Sequence, residues 1–277
     1  MNIIDGNKIR EEKIEQFSKQ IKEINDNLKL VVIQVGNNES SNIYIKNKNK
    51  LCNRVGVLFE HVKYDSVTEN ELVSKIEELN NDNTVTGILV QLPLPKEINE
   101  KKVIDSINPL KDVDGLTTSN IGNLFSGNKG IVPCTAAGIL ELINSQNINL
   151  EGANVVIVGR SRLVGLPTMA LLLRKNATVT VCHSKTKDLK EKTREADILV
   201  VATGKKGLIT EEYVKDGAVV IDVGISRVEG KIYGDCDFEN IKDKCQAITP
   251  VPGGVGPLTV TMLIHNIIEA YNLQKNN

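Results

Sequence analysis

Apolar residues recur along this chain with two different periods, and the alternation between the periods predicts the architecture. Ile14, Phe17, Ile21, Ile24 and Leu28 are spaced by threes and fours, the interval of one helical face. Leu30 to Val35 reads as a strand, followed by a helix capped by Ser40 or Ser41 and running to about residue 54, then by a strand over Val57 to Val62. Thr68-Glu69-Asn70-Glu71 has the form of a capping box and opens a third helix through Leu79; Val85 to Gln91 is the next strand. Helices alternating with β-rich runs predict a parallel or mostly parallel α/β sheet.

Asn108 to Cys134 breaks the pattern. It is rich in Gly, Asn, Ser, Thr and Pro with little periodicity, and reads as a boundary or a functional loop region. A connecting helix begins at Thr135 and extends to Ile143. A second alternation follows: strand Asn154 to Val158, helix Leu166 to Arg174, strand Thr178 to Val181, a helix after Lys187, and strands Asp197 to Val201 and Ala218 to Val223. This is a Rossmann-like series. Pro250 to Pro257 is a dense turn, after which Leu258, Met262, Ile264 or His265, Ile268 and Tyr271 line a final helix.

Composition narrows the function. The 277 residues are 40% hydrophobic and 25% charged, which suits a globular protein of one large or two medium domains. Lys plus Arg total 34 and Asp plus Glu 35, so no protein-wide positive field exists to gather nucleic acid or anionic lipid. Five cysteines form no CxxC pair, which argues against a disulfide framework or a zinc ribbon and for a reducing compartment. The first dozen residues lack a secretory apolar core and no apolar run approaches a membrane span, so a cytoplasmic protein is expected.

Three segments carry candidate chemistry. Val155 to Pro167 is an apolar strand, a turn with Gly159 and Gly165, and a helix start: the glycines permit a tight bend and close strand-helix packing, and a helix N-terminus attracts phosphate. Ser161 stands where a GxGxxG motif has its middle Gly, and a plain strand-turn-helix junction fits as well. The next strand ends Val181-Cys182-His183-Ser184-Lys185, with no carboxylate to repel a 2′-phosphate, while Arg160, Arg162, Ser184 and Lys185 offer donors; this favours NADP over NAD. Tyr44 and Lys48, four apart, share a helix face and are either an acid-base pair built on a lowered lysine pKa or surface neighbours. Gln91 lies at a strand's carboxyl end before Leu92-Pro93-Leu94-Pro95, where α/β sheets place ligands. In Lys111-Asp112-Val113-Asp114-Gly115 one carboxylate faces inward or serves as a turn former, and further oxygen ligands for a metal are missing, so no metal is expected. His61, His183 and His265 lack ligand-spaced partners and are read as structural or solvent-facing.

Taken together, SNIYIKNK, GILVQLPLP, KDVDGL, IVPCTAAG, VVIVGRSRLVGLP, ATVTVCHSKT, ADILVVATGK, VVIDVGI, GDCDF and ITPVPGGVGPLTVTML, in this order, resemble the bifunctional methylenetetrahydrofolate dehydrogenase/methenyltetrahydrofolate cyclohydrolase family almost end to end. The resemblance implies an α/β protein of two domains facing across a cleft: a folate-binding catalytic domain with a mostly parallel sheet, residues 1–118 completed by a helix at 256–277, and a Rossmann-like NADP-binding domain, residues 119–255. It implies a homodimer acting on one-carbon tetrahydrofolate derivatives, without nucleic acid or membrane. By motif match Lys48 is the cyclohydrolase lysine, Tyr44 its partner over the pterin, Gln91 the amide that tunes it and Asp114 the pterin anchor. Leu92, Pro93, Pro252, Gly253 and Gly254 then lie beside the substrate, and Gly159, Arg160, Ser161, Gly165, Ser184, Thr203, Gly204, Gly224 and Ile225 beside the cofactor. Ala136 and Lys206 stand where the family commonly has Pro, and His265 where it varies. A dehydrogenase similar to those acting on shikimate or amino acids, and a noncatalytic NADP-binding regulator, are the alternatives.

Overall fold

The structure, a computed structural model, describes residues 2–276. The chain opens with strand β1 (Asn2–Ile3) and helix α1 (Gly6–Ile24), followed by β2 (Lys29–Val35), α2 (Glu39–Val55), β3 (Leu58–Tyr64), α3 (Glu69–Asn81) and β4 (Gly87–Val90). Three helices come next, α4 (Glu100–Asp105), α5 (Thr118–Ser126) and α6 (Cys134–Asn144). Then follow β5 (Asn154–Val158), α7 (Gly165–Leu173), β6 (Thr178–Cys182), α8 (Leu189–Arg194), β7 (Ile198–Val201) and β8 (Val219–Asp222). The chain ends with a hairpin of β9 (Ser226–Val228) and β10 (Lys231–Tyr233), then α9 (Phe238–Ile241), β11 (Ala247–Ile248) and α10 (Val255–Lys275). These elements form two compact units, one made of the chain up to Glu12 with Thr135–Thr259, the other of Lys13–Cys134 with the chain from Val260 onward. The divisions expected at 118/119 and 255/256 are thus found at 134/135 and 259/260, with a further one at 12/13; Met1 and Asn277 lie outside the described residues.

The unit built on Lys13–Cys134 has a three-stranded parallel sheet in the order β3-β2-β4. Its central strand is buried along nearly its whole length, as a parallel strand covered on both faces must be. Val31, Ile33 and Val35 pack with Leu72, Ile76 and Leu79 of α3 and with Val103, Ile104 and Ile107. α3 carries the expected capping box: Thr68 N–H donates to Glu71 Oε2 at 2.9 Å and Glu71 N–H to Thr68 Oγ1 at 3.3 Å. α2 starts earlier than expected, and its cap is Asn38, whose side chain accepts from Ser41 N–H; Ser40 and Ser41 already lie in the first turn. The stretch 108–134 is not loop throughout, because α5 lies in it, capped by Thr117. Only Asn120 and Leu124 of α5 are buried, so there was no apolar stripe to read.

The other unit has a six-stranded sheet in the order β1-β11-β8-β7-β5-β6, with every pair parallel. Alternate residues of β5 point to opposite faces, Val155 and Ile157 into one core with Ile139 and Leu172, Val156 and Val158 into another with Val214 and Ile241. β5 has β6 on one side and β7 on the other, so the strand order reverses there and leaves a ligand crevice at the carboxyl ends. β1 pairs with β11, which is why the first residues belong to this unit. α10 begins at Val255, three residues before expected Leu258, because Pro257 is tolerated in a first helical turn.

Lys111 has a role the spacing did not reveal. It is 5% exposed, and its Nζ donates to Leu79 O at 3.1 Å and Asp82 O at 2.7 Å, adding a charged donor to two carbonyls at the end of α3 that each already accept a backbone N–H. Lys111→Ala is expected to cost about 2 kcal/mol through lost charge-assisted bonds. In a thermal melt this lowers Tm by roughly 4–8 °C; an unchanged Tm would show that the capping contributes nothing.

Candidate active site

The site in the Lys13–Cys134 unit is assembled at the carboxyl ends of β2 and β4 and on α2. Gln91 extends the β4 ladder by donating its N–H to Ile33 O at 2.8 Å, and its side chain leaves the sheet there. The Gln91 amide donates from Nε2 to Leu92 O at 2.8 Å, which fixes its oxygen toward Lys48. Lys48 Nζ donates to that oxygen, Oε1, at 2.9 Å. The Leu92–Pro93 peptide is cis. Tyr44 sits one turn earlier on the same helix with 42% of its surface exposed.

Burial holds the Lys48 ammonium below the ordinary lysine pKa, against the opposing pull of Asp114 and, more weakly, Cys134 and Cys52. Burial raises the Asp114 carboxyl above its ordinary value, Lys48 pulls it down, Asp112 adds to the rise and a hydrogen bond from Cys134 lowers it. Both shifts favour uncharged forms. The two aspartates of the KDVDG stretch are now told apart. Asp112 is buried and spends its carboxylate on the loop itself, accepting from Gly115 N–H at 3.0 Å, Thr117 N–H at 2.8 Å and Asn120 Nδ2 at 3.0 Å. Asp114 is the carboxylate that couples electrostatically to Lys48. Gly115, at φ +70°, could not be any other residue without trouble, since a Cβ there would meet Pro133 N at 2.7 Å.

Residue reasoning did not single out several groups that hold this loop. Asn266 of α10 is buried and donates from Nδ2 to Val113 O at 2.9 Å, Val132 O at 2.8 Å and Cys134 Sγ at 3.3 Å. Cys134, in the IVPCTAAG stretch, is buried with its thiol raised well above the ordinary value by burial and Asp114; Cys52 is pushed up to about 12, chiefly by burial. Lone cysteines and an Asn on an apolar helix give no signal at the level of spacing. The histidines make these contacts: His61 Nε2 hydrogen-bonds Gln34 Oε1 at 3.0 Å, His183 Nδ1 accepts from Lys185 N–H at 3.2 Å, and His265 packs against the ring of Phe17.

The second unit carries the residues expected beside a dinucleotide. Gly159 follows β5 with φ +132°, and a Cβ on it would sit 2.3 Å from Ala202 O; a Cβ on Gly165 would sit 2.1 Å from Gly159 O. The turn and the start of α7 therefore close only with glycine at both places. α7 has no side-chain cap; Leu166 N–H donates to Ser161 O at 3.1 Å and Pro167 carries no N–H, so what this helix start offers an anion is chiefly its dipole. Ser161 Oγ accepts from Val164 N–H at 3.1 Å, and Arg160, Ser161, Ser184 and Lys185 are exposed, the last two just beyond β6, which ends without a carboxylate. These features fit a dinucleotide with a 2′-phosphate. Ile225 lines a cavity of about 300 Å³ together with Val223, Ile232, Pro252, Gly253 and Gly254, so the residues assigned to cofactor and to substrate in this unit share one wall. The Val251–Pro252 peptide is cis. Asp222 lines the same cavity and is buried, as is Asp235; Asp222 is pushed up to about 6, chiefly by burial. Among the described residues no helix is long and apolar enough to cross a membrane.

Comparison with known proteins bears on both units. The family model for the tetrahydrofolate dehydrogenase/cyclohydrolase catalytic domain matches residues 4–114, and that for the same family's NAD(P)-binding domain matches residues 133–275. A bifunctional protein FolD of Clostridium novyi is 50% identical over 271 residues, 96% of this chain and 98% of the relative. The crystal structure of the bifunctional methylenetetrahydrofolate dehydrogenase/cyclohydrolase FolD of Campylobacter jejuni matches with 45% identity and a TM-score of 0.92, covering 99% of each chain. The Trypanosoma brucei enzyme, complexed with NADP cofactor and inhibitor, matches with 34% identity and a TM-score of 0.93 over 99% of this chain and 98% of that one. With a two-unit α/β fold, a lysine-amide pair at the end of one parallel sheet and a glycine turn at the end of the other, this chain belongs to the tetrahydrofolate dehydrogenase/cyclohydrolase family.

Proposed function

We propose that the protein oxidises 5,10-methylenetetrahydrofolate to 5,10-methenyltetrahydrofolate with NADP and hydrolyses that product to 10-formyltetrahydrofolate. The observation that carries this reading is the withdrawn Lys48 amine, bonded to a neutral amide at 2.9 Å, in a chain of this family. A carboxylate in place of Gln91 would hold Lys48 as an ammonium; an amide oxygen orients the amine without that cost.

In the first reaction the methylene carbon between N5 and N10 loses a hydride, leaving a cation delocalised over both nitrogens. When bound, NADP supplies the nicotinamide ring that accepts the hydride. The chain's share is alignment: the turn at Gly159–Gly165 and the exposed Arg160, Ser161 and Ser184 grip the phosphates, and Thr203, Gly204, Gly224 and Ile225 orient the ring end. Tyr44 and Leu92 flank the pterin beside Pro93, Asp114 accepts from its N–H groups, and Gly253–Gly254 with Pro252 give the backbone close approach to the substrate.

In the second reaction water adds to the cation. Lys48, as a neutral amine, takes the water's proton, and the carbon gains a hydroxyl. The ammonium then protonates N5, the C–N5 bond breaks, and the hydroxyl proton leaves to solvent as the formyl oxygen forms. Water and cation become a formyl amide, an N5–H and one released proton, so the step balances. We further assign the protein to a reducing, cytoplasmic compartment, supported by five free and buried cysteines, and to a homodimer on the strength of family resemblance; sedimentation of the purified chain at two concentrations tests the latter.

Lys48→Met is expected to lower cyclohydrolase turnover by about 10²–10⁴-fold, followed as decay of methenyl absorbance, while formation of reduced nicotinamide continues; a variant with full cyclohydrolase activity would reject the role. The pH behaviour has a definite sign. Asp114 raises the Lys48 pKa, so Asp114→Asn is expected to lower it further and extend the neutral amine to lower pH. Titration of the ¹³C-labelled lysine side chain by NMR reads this directly, and an upward shift would refute the coupling.

A further inference from the structure

The acidic residues of Gly234-Asp235-Cys236-Asp237 lie outside every contact proposed above, yet one of them touches both ring-end segments of the cofactor site. Asp235 is fully buried. A single oxygen, Oδ2, accepts from Thr203 N–H at 2.5 Å, Thr203 Oγ1 at 2.9 Å and Gly204 N–H at 3.1 Å. Its other oxygen, Oδ1, is buried without a hydrogen-bond partner. That oxygen lies against Gly224, where a Cβ would come within 2.0 Å of it. Asp222 lashes the same region from the other side, accepting at Oδ1 from Gly224 N–H at 3.1 Å and Asp235 N–H at 2.9 Å, and at Oδ2 from Cys236 N–H at 2.8 Å. Two buried carboxylates thus tie together the turn after β7, the turn after β8 and the segment before α9.

We infer that Asp235 is a positioning residue for the dehydrogenase reaction: it fixes the Thr203–Gly204 turn and fills the space behind Gly224, so that both segments meet the cofactor's ring end in one geometry. The inference rests on the proposed placement of the cofactor at those residues. A buried oxygen without a partner lowers stability, and an asparagine of the same shape would bury an unpartnered NH2 in its place. The convergence of three donors on Oδ2 accounts for the acid, because a charged acceptor draws the turn in more tightly than an amide oxygen. Gly224 is required for the same reason, since any side chain there would displace the carboxylate from the turn.

The test compares Asp235→Ala and Asp235→Asn with the full-length protein in two assays: NADP-dependent oxidation of methylenetetrahydrofolate, and hydrolysis of methenyltetrahydrofolate without nucleotide. Asp235→Ala is expected to lower kcat/KM for NADP at least ~10-fold by misplacing the ring end, with hydrolysis unchanged, and Asp235→Asn, which keeps one acceptor oxygen, to recover part of the loss. Equal loss of both activities in step with a lower Tm, or wild-type dehydrogenase kinetics in both variants, would overturn the inference. Amide hydrogen exchange on the unmodified protein with and without NADP separates the two levels. Protection at 203–204 and 224–225 supports the cofactor placement whatever the variants do, and its absence would overturn that placement and the inference with it. Exchange also serves when Asp235→Ala folds poorly, since Asp235→Asn is expected to show weaker NADP protection at 203–204, and equal protection would count against the role.

Discussion

The chemistry proposed for this protein depends on one constraint: an amine must be kept out of water while its direct hydrogen-bond partner carries no charge. Burial lowers the Lys48 pKa, and a neutral amide, Gln91, occupies the hydrogen-bonding position that a carboxylate would fill in an ordinary salt bridge. The amide is in turn held by the backbone carbonyl of Leu92, at the point where the chain leaves the sheet. The parallel strand end, the proline turn and the helix carrying Lys48 thus meet at one 2.9 Å hydrogen bond.

Carboxylates are used in two distinct ways around this device. Asp222 and Asp235 are buried clamps whose oxygens gather backbone N–H groups from the turns after β7 and β8, and Asp112 does the same within its own loop before α5. Asp114, two residues from one of these clamps, couples to Lys48 instead. A turn rich in glycine has little side-chain packing to hold it, and a carboxylate that collects several amides at once supplies the missing rigidity. The active turns of both units are built by this means. Asn266 does the equivalent work with donors in place of acceptors, joining Val113 and Val132 to α10.

Much of this was legible in the residues. Spacing gave α1, α3 with its capping box, α6, the buried strands and the alternation that makes both sheets parallel, because those features depend on local periodicity and on nearest-neighbour capping. The joint order of motifs pointed to the family, and the lack of an acid after β6 pointed to NADP. Less legible were α5, which buries only two residues, and the strands β1 and β11, which are two residues long and exist only because they pair with each other and with β8. The sequence by itself determined the fold class and the candidate chemical groups, since periodicity and residue type are local properties. Residue spacing left Asp112 and Asp114 undistinguished and Lys48 without a partner; tertiary structure showed that Asp112 closes its own loop while Asp114 couples to Lys48, that Lys48 donates to Gln91, and that Asp235 reaches Thr203 across 32 residues. Burial and the convergence of donors on one oxygen are created by packing between segments far apart in the chain, and no spacing within a segment encodes them.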